Sequence, residues 1–223
     1  MTRKIFISLI AFVSVALPVK SQTAWEKDIR QFEKLDSAET YSPNAVLFAG
    51  SSSIRLWSTI KRDMAPYEII QRGFGGSKLS DLVVYADRII APHPCSAVVL
   101  FVANDITGSA DDKTPQQVAD LFSQVLQIIR KSHPKTPVFW IEITPTPSRW
   151  KVWDKATEAN QIIKNMCDKK NNTYYIATSQ AFIGKDRLPV KDYFMPDMLH
   201  LNEQGYKIWS GVIKKRLGEV VHP

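Results

Sequence analysis

The sequence predicts an α/β protein, a three-layer α/β/α sandwich around a five-stranded parallel sheet. Five short apolar runs alternate with longer amphipathic stretches, the pattern of strands joined by crossover helices. The central run, residues 96–102 (SAVVLFV), is apolar almost throughout, as expected of a strand covered on both faces. A length of 223 residues, with 44% apolar and 23% charged, suits one globular domain with a substantial core.

The chain begins with a segment of different character. Arg3 and Lys4 precede an apolar stretch over residues 5–17, followed by Pro18, Val19, Lys20 and Ser21. A short positive region, a short apolar region and small residues read as a secretory signal peptide, cleaved after Ser21. The apolar stretch falls short of the roughly 20 residues that span a membrane. Loss of residues 1–21 removes Arg3, Lys4 and Lys20 and no acid, so the formal charge falls from +7 to +4. The remaining Lys and Arg lie scattered among acids, the pattern of a solvated surface rather than a nucleic-acid footprint. Residues 22–223 are then expected to form one exported domain, periplasmic or secreted, with no stable membrane anchor and no nucleic-acid partner. Cys95 and Cys167 lack metal-like spacing. They either pair in an exported protein or stay two separate buried thiols.

Along this domain, residues 24–36 (AWEKDIRQFEKLD) place Trp25, Ile29, Phe32 and Leu35 at helical spacing. Residues 45–49 form a buried strand, 54–64 a helix, and 67–71 (YEIIQ) a second strand. A glycine-rich turn, Arg72-Gly73-Phe74-Gly75-Gly76, follows. Residues 78–90 read as a helix ended by Pro92 and Pro94, and 96–102 as the third strand. Thr114-Pro115 opens a helix to about Ser132, with Pro in the first turn. Residues 137–143 (PVFWIEI) are the fourth strand, 154–169 a helix and 174–178 a fifth strand. Residues 179–199 look irregular, and 202–220 close the chain as a helix with Asn202 as its cap.

Right-handed crossovers put the loops after all the strands on one sheet edge, where ligands of such sheets bind. Several chemically capable groups stand there. Ser51, Ser52 and Ser53 follow the first strand, the glycine-rich turn the second, and Ala103-Asn104-Asp105 the third. A serine nucleophile needs a base. His93 and His133 precede strands and so belong to the opposite edge, while His222 lies in the tail. His200 remains, with Asp197 three residues upstream, close enough for a tight turn to orient the imidazole. Oxyanion donors fit the same edge: the N–H of a serine at a strand-to-helix turn, the N–H of Gly76 and the side-chain amide of Asn104.

These residues resemble the four sequence blocks of the SGNH hydrolases, the GDSL-type esterases and lipases. Gly50-Ser51-Ser52 corresponds to the Gly-Asp-Ser block, Arg72 to Gly76 to the second, Ala103-Asn104-Asp105 to the third, and Asp197-Met198-Leu199-His200 to the last. The Gly-Ser-Ser-Ser-Ile-Arg-Leu-Trp form is similar to secreted bacterial members related to platelet-activating-factor acetylhydrolase-like and carbohydrate-esterase-like enzymes. Two departures stand out: Ser51 replaces the acidic residue of the first block, and the third has Val102-Ala103 where glycine or a polar residue is common and looks a residue short.

The resemblance implies a flavodoxin-like SGNH hydrolase fold and a serine esterase. Ser52 is then the nucleophile, His200 the base and Asp197 its partner. Ser52, Gly76 and Asn104 form the oxyanion hole, and no metal or organic cofactor is implied. The absence of a long apolar lid favours short acyl groups, acetyl esters above all, with a small ester or an acetylated glycan as substrate. Arg55, Arg149, Trp150 and Trp153 are expected to flank the mouth. A lysophospholipase or lipase is the alternative within the family. A non-catalytic glycan-binding module on a degenerate hydrolase fold is the alternative outside catalysis.

Overall fold

The computed structural model describes residues 24–222, so the expected signal peptide lies outside the described residues. Five parallel strands, β1 (Val46–Gly50), β2 (Ile69–Gly73), β3 (Ala97–Phe101), β4 (Val138–Ile141) and β5 (Thr173–Ile176), form a sheet in the order β2-β1-β3-β4-β5. Successive residues along a strand face opposite sides, and here both sides are apolar. Leu47, Ala49, Val98 and Leu100 enter one buried cluster, while Val46, Phe48, Val99 and Phe101 enter the other.

Helices α1 (Glu26–Ala38), α4 (Leu79–Ile90), α5 (Pro115–Ser132) and α6 (Trp153–Lys169) cover the first side. The one-turn helices α2 (Ser52–Arg55) and α3 (Ile60–Asp63), the short α7 (Ser179–Phe182) and the closing α8 (Glu203–Gly218) lie on the second. This is the three-layer sandwich the sequence predicts. The strand order reverses between β1 and β3, and a crevice opens at such a switch point beyond the carboxyl ends of the strands.

Local chemistry explains the boundaries. Thr114 caps α5, and a reciprocal bond between its N–H and Gln117 completes a capping box with Pro115 in the first turn. Asn202 caps α8 by accepting from Gly205 N–H. The helix expected over 54–64 is instead two separate turns. Gln71 explains the break, because its amide donates to the carbonyls of Ile54 and Trp57 at 2.6 and 3.2 Å and ends α2. Trp57 then drops into the core, its indole N–H donating to Asp63 and its ring stacked on Tyr206. The second strand starts two residues later than expected, since Tyr67 turns aside to donate its hydroxyl to the carbonyl of Val221.

That shift places Arg72 inside β2 rather than in the glycine-rich turn. Arg72 is buried, packed against the rings of Phe32 and Tyr41 and ion-paired with Asp36 of α1. Cys95 and Cys167 are both free thiols. Burial pushes each up to about 12. Among the described residues no helix is long and apolar enough to cross a membrane.

Candidate active site

The site begins with the turn from β1 into α2. Gly50 adopts a φ of +148°, and a Cβ there would stand 1.9 Å from the carbonyl oxygen of Phe101 on the neighbouring strand. Only glycine lets β1 and β3 close together while the chain bends sharply. Ser51 is buried and its N–H bonds Phe101, so Ser52 becomes the first residue of α2. The Ser52 N–H has no acceptor among the described residues, as befits a first-turn donor.

From the other end of the chain, a tight loop brings His200 to Ser52. Met198 holds a φ of +57°, its N–H bonded to Met195, while Met195 N–H donates to His200 carbonyl. One carboxylate oxygen of Asp197 accepts from the N–H groups of Leu199 and His200 at 2.9 and 3.0 Å. The other lies 2.6 Å from His200 Nδ1. With Nδ1–H donating to Asp197, Nε2 is left as acceptor for the Ser52 hydroxyl at 2.9 Å. Burial opposes ionisation of Asp197, but the imidazole and the two N–H groups outweigh it and hold the carboxyl below its ordinary range.

The loops after β2 and β3 stand on the same sheet edge. Gly76 has a φ of +76°, a left-handed conformation that favours glycine. The indole N–H of Trp25 donates to the carbonyl of Gly75 at 2.7 Å. In a planar trans peptide the carbonyl and the following N–H point in opposite directions. Trp25 therefore fixes the direction of the Gly76 N–H, which has no acceptor among the described residues. Asn104 donates one amide hydrogen to the carbonyl of Ser77 at 2.9 Å and keeps the second. Next to it, buried Asp105 accepts from Leu79 N–H at 2.9 Å and ties the β3 loop to the start of α4. Burial pushes the Asp105 carboxyl up.

A cleft lined by Ser52, His200, Asn104, Arg149, Trp153 and Trp209, among others, opens on this edge, and Gly76 is not among its lining residues. The cleft measures only about 40 Å³. Two residues expected to flank the mouth do not line the cleft itself. Arg55 is exposed, its guanidinium lying over Gly75 instead of the cleft, because α2 turns its last side chain towards the glycine loop. Trp150 stacks on Trp153 with ring centroids 6.0 Å apart, and Trp153 is the one that lines the cleft. Arg149 does reach the cleft, but its guanidinium is spent on protein acceptors, Ala103 carbonyl and Asn104 Oδ1, each at 2.8 Å. Sequence reasoning missed the Trp25 contact and the Asp105 tie. Asp105 lay within a recognised block, whereas nothing in the sequence links Trp25 to a turn 50 residues away. Among the described residues no group of three or more His, Cys, Asp or Glu side chains could hold a metal ion.

A serine at a strand-to-helix turn, with an imidazole and carboxylate in line behind it on this sheet, marks a carboxylic ester hydrolase. The chain belongs to the GDSL-like lipase/acylhydrolase family, whose model matches residues 41–208. Solved structures share the fold. A provisionally assigned platelet activating factor from Streptococcus pneumonia superposes with a TM-score of 0.76 at 19% identity, covering 89% of this chain and 94% of that one. A GDSL-like lipase from Bacteroides thetaiotaomicron gives 0.69 at 15% identity, over 86% and 97%. A carbohydrate esterase family 3 member from Talaromyces cellulolyticus gives 0.61 at 15% identity, over 80% and 98%. No curated protein matches the chain.

Proposed function

We propose that this protein is an exported serine esterase that removes short acyl groups, acetyl above all, from small or carbohydrate esters. The observation that carries the reading is the hydrogen-bonded line from Asp197 through His200 to Ser52, ending in a narrow cleft. His200 Nε2 takes the Ser52 proton as Oγ attacks the ester carbonyl carbon. Charge developing on the carbonyl oxygen is met by N–H groups of Ser52 and Gly76 and the remaining amide hydrogen of Asn104. His200 then gives the proton to the leaving alkoxide, and an acyl-serine remains. Water, deprotonated by the same imidazole, attacks the acyl carbon and releases the acid and free Ser52. Asp197 holds the imidazole in its working tautomer throughout.

The small volume of the cleft, about 40 Å³, supports a short acyl group. The shared fold with a carbohydrate esterase supports an acetylated glycan as the alcohol side. The leader-like residues 1–21 support export.

The test is hydrolysis of p-nitrophenyl esters of increasing chain length by residues 22–223, beside Ser52→Ala and Ser53→Ala. Turnover that is highest for acetate and lost only with Ser52→Ala is the expected result. Equal rates for wild type and Ser52→Ala overturn the nucleophile. A preference for long chains favours a lipase, and no turnover on any ester or acetylated glycan favours a binding module.

A further inference from the structure

We propose that Arg149 is a positioning residue for the Asn104 oxyanion donor, not a contact for substrate. This rests on the esterase reading above. A side-chain amide can flip, exchanging its oxygen and nitrogen, and only one orientation turns an N–H towards the crevice. Two contacts set that orientation here. Ser77 carbonyl accepts from Nδ2 at 2.9 Å, and Arg149 donates to Oδ1 from the opposite end of the amide at 2.8 Å. Flipping Asn104 would set an NH₂ against a guanidinium and an oxygen against a carbonyl, two repulsive contacts in place of two bonds.

The second arm of the fork makes the hold rigid. Arg149 Nη1 donates to Ala103 carbonyl at 2.8 Å, so one planar group grips the backbone before Asn104 and its side chain together. The guanidinium is half-buried, and burial lowers its affinity for its proton while Asp112 opposes that change. Asp112 in turn is fixed by the Thr107 and Gly108 N–H groups within the same loop. A cation on Oδ1 also withdraws electron density from the amide, which strengthens Nδ2–H as a donor to a developing oxyanion.

The test is a double-mutant cycle between Arg149→Met and Asn104→Ala, with phenyl acetate and acetylsalicylate, an acetate ester that bears a carboxylate, as substrates. Arg149→Met is expected to lower kcat roughly 10- to 100-fold, no more than Asn104→Ala does. KM is expected to stay within about twofold, with the same loss on both substrates. In the Asn104→Ala background the same change is expected to cost less than about threefold further. Full additivity of the two losses overturns the proposal. So does a loss confined to KM for acetylsalicylate, which would make Arg149 a substrate contact. If Arg149→Met does not fold, Arg149→Lys carries the same cycle, since a lysine cannot bridge both acceptors as a fork. A wild type inactive on both esters overturns the esterase reading and this one with it, whereas an active wild type with additive costs overturns this one alone.

Discussion

Replacing Trp25 with Phe removes one hydrogen bond and little else. The phenyl ring keeps the edge contact with Phe74, whose centroid lies 6.2 Å from that of the indole, but the donor to Gly75 carbonyl is gone. A bond of this kind is worth about 1 kcal/mol net. That is a factor of about 5 between the two orientations of the Gly75–Gly76 peptide. Complete loss of an oxyanion donor costs roughly 10²–10³ in rate, so partial reorientation is expected to lower kcat by about 2- to 5-fold. KM should not move, because the ground-state ester makes little use of this N–H. The melting temperature should fall by only about 2–4 °C for a domain of this size. Steady-state hydrolysis of p-nitrophenyl acetate and a thermal melt measure both quantities. A lowered melting temperature with an unchanged kcat would refute the reasoning, leaving Trp25 as a clamp on α1 with no hold on the peptide.

Asp197→Asn should lower kcat by roughly 10²–10⁴, because an amide facing Nδ1 favours the wrong tautomer. The Asp197 carboxyl is held below its ordinary range, so its stabilising effect is present above the unfolded-state value and lost as pH falls through the folded one. Removing it should flatten the acid side of a plot of melting temperature against pH. Asp105 has the opposite sign: its carboxyl is raised by burial, so stability is lost as pH rises from the unfolded-state value towards the folded one. Asp105→Asn keeps an acceptor for Leu79 N–H and should gain on wild type as pH rises through that window, read from melts at several pH values. Gly50→Ala forces a methyl against Phe101 carbonyl at a positive φ. It should cost about 3 kcal/mol or more, seen as a fall of roughly 6–12 °C in melting temperature or as insoluble protein.

The sequence carried the layered fold because its signal is repetitive: each strand is a run of apolar residues and each helix an amphipathic stretch, independent of what they touch. It also carried the meeting of Ser52, Asp197 and His200 on one edge, since the topology leaves one histidine there. Side-chain direction is a different matter. Arg55 and Arg149 look equivalent in the sequence, each in a segment that follows a strand on the useful edge. One turns over Gly75 and the other forks onto Ala103 and Asn104. The break after α2 was hidden for a similar reason, since Gln71, which ends it, belongs to the next strand. Contacts decided by a distant partner leave no local periodicity to read.

The buried Arg72 has a consequence for assembly. It sits on β2, an outermost strand of the sheet, whose free edge could template pairing with another chain. Its charge is met by Asp36, Phe32 and Tyr41 on one face alone. Sliding β2 by one residue would carry the guanidinium to the opposite face, among Phe48 and Trp57, where none of those partners reaches. An unpaired buried cation costs several kcal/mol, so misaligned and intermolecular pairings of this strand are penalised from the start. The registry of the sheet is thus enforced at its rim, where aggregation would otherwise begin.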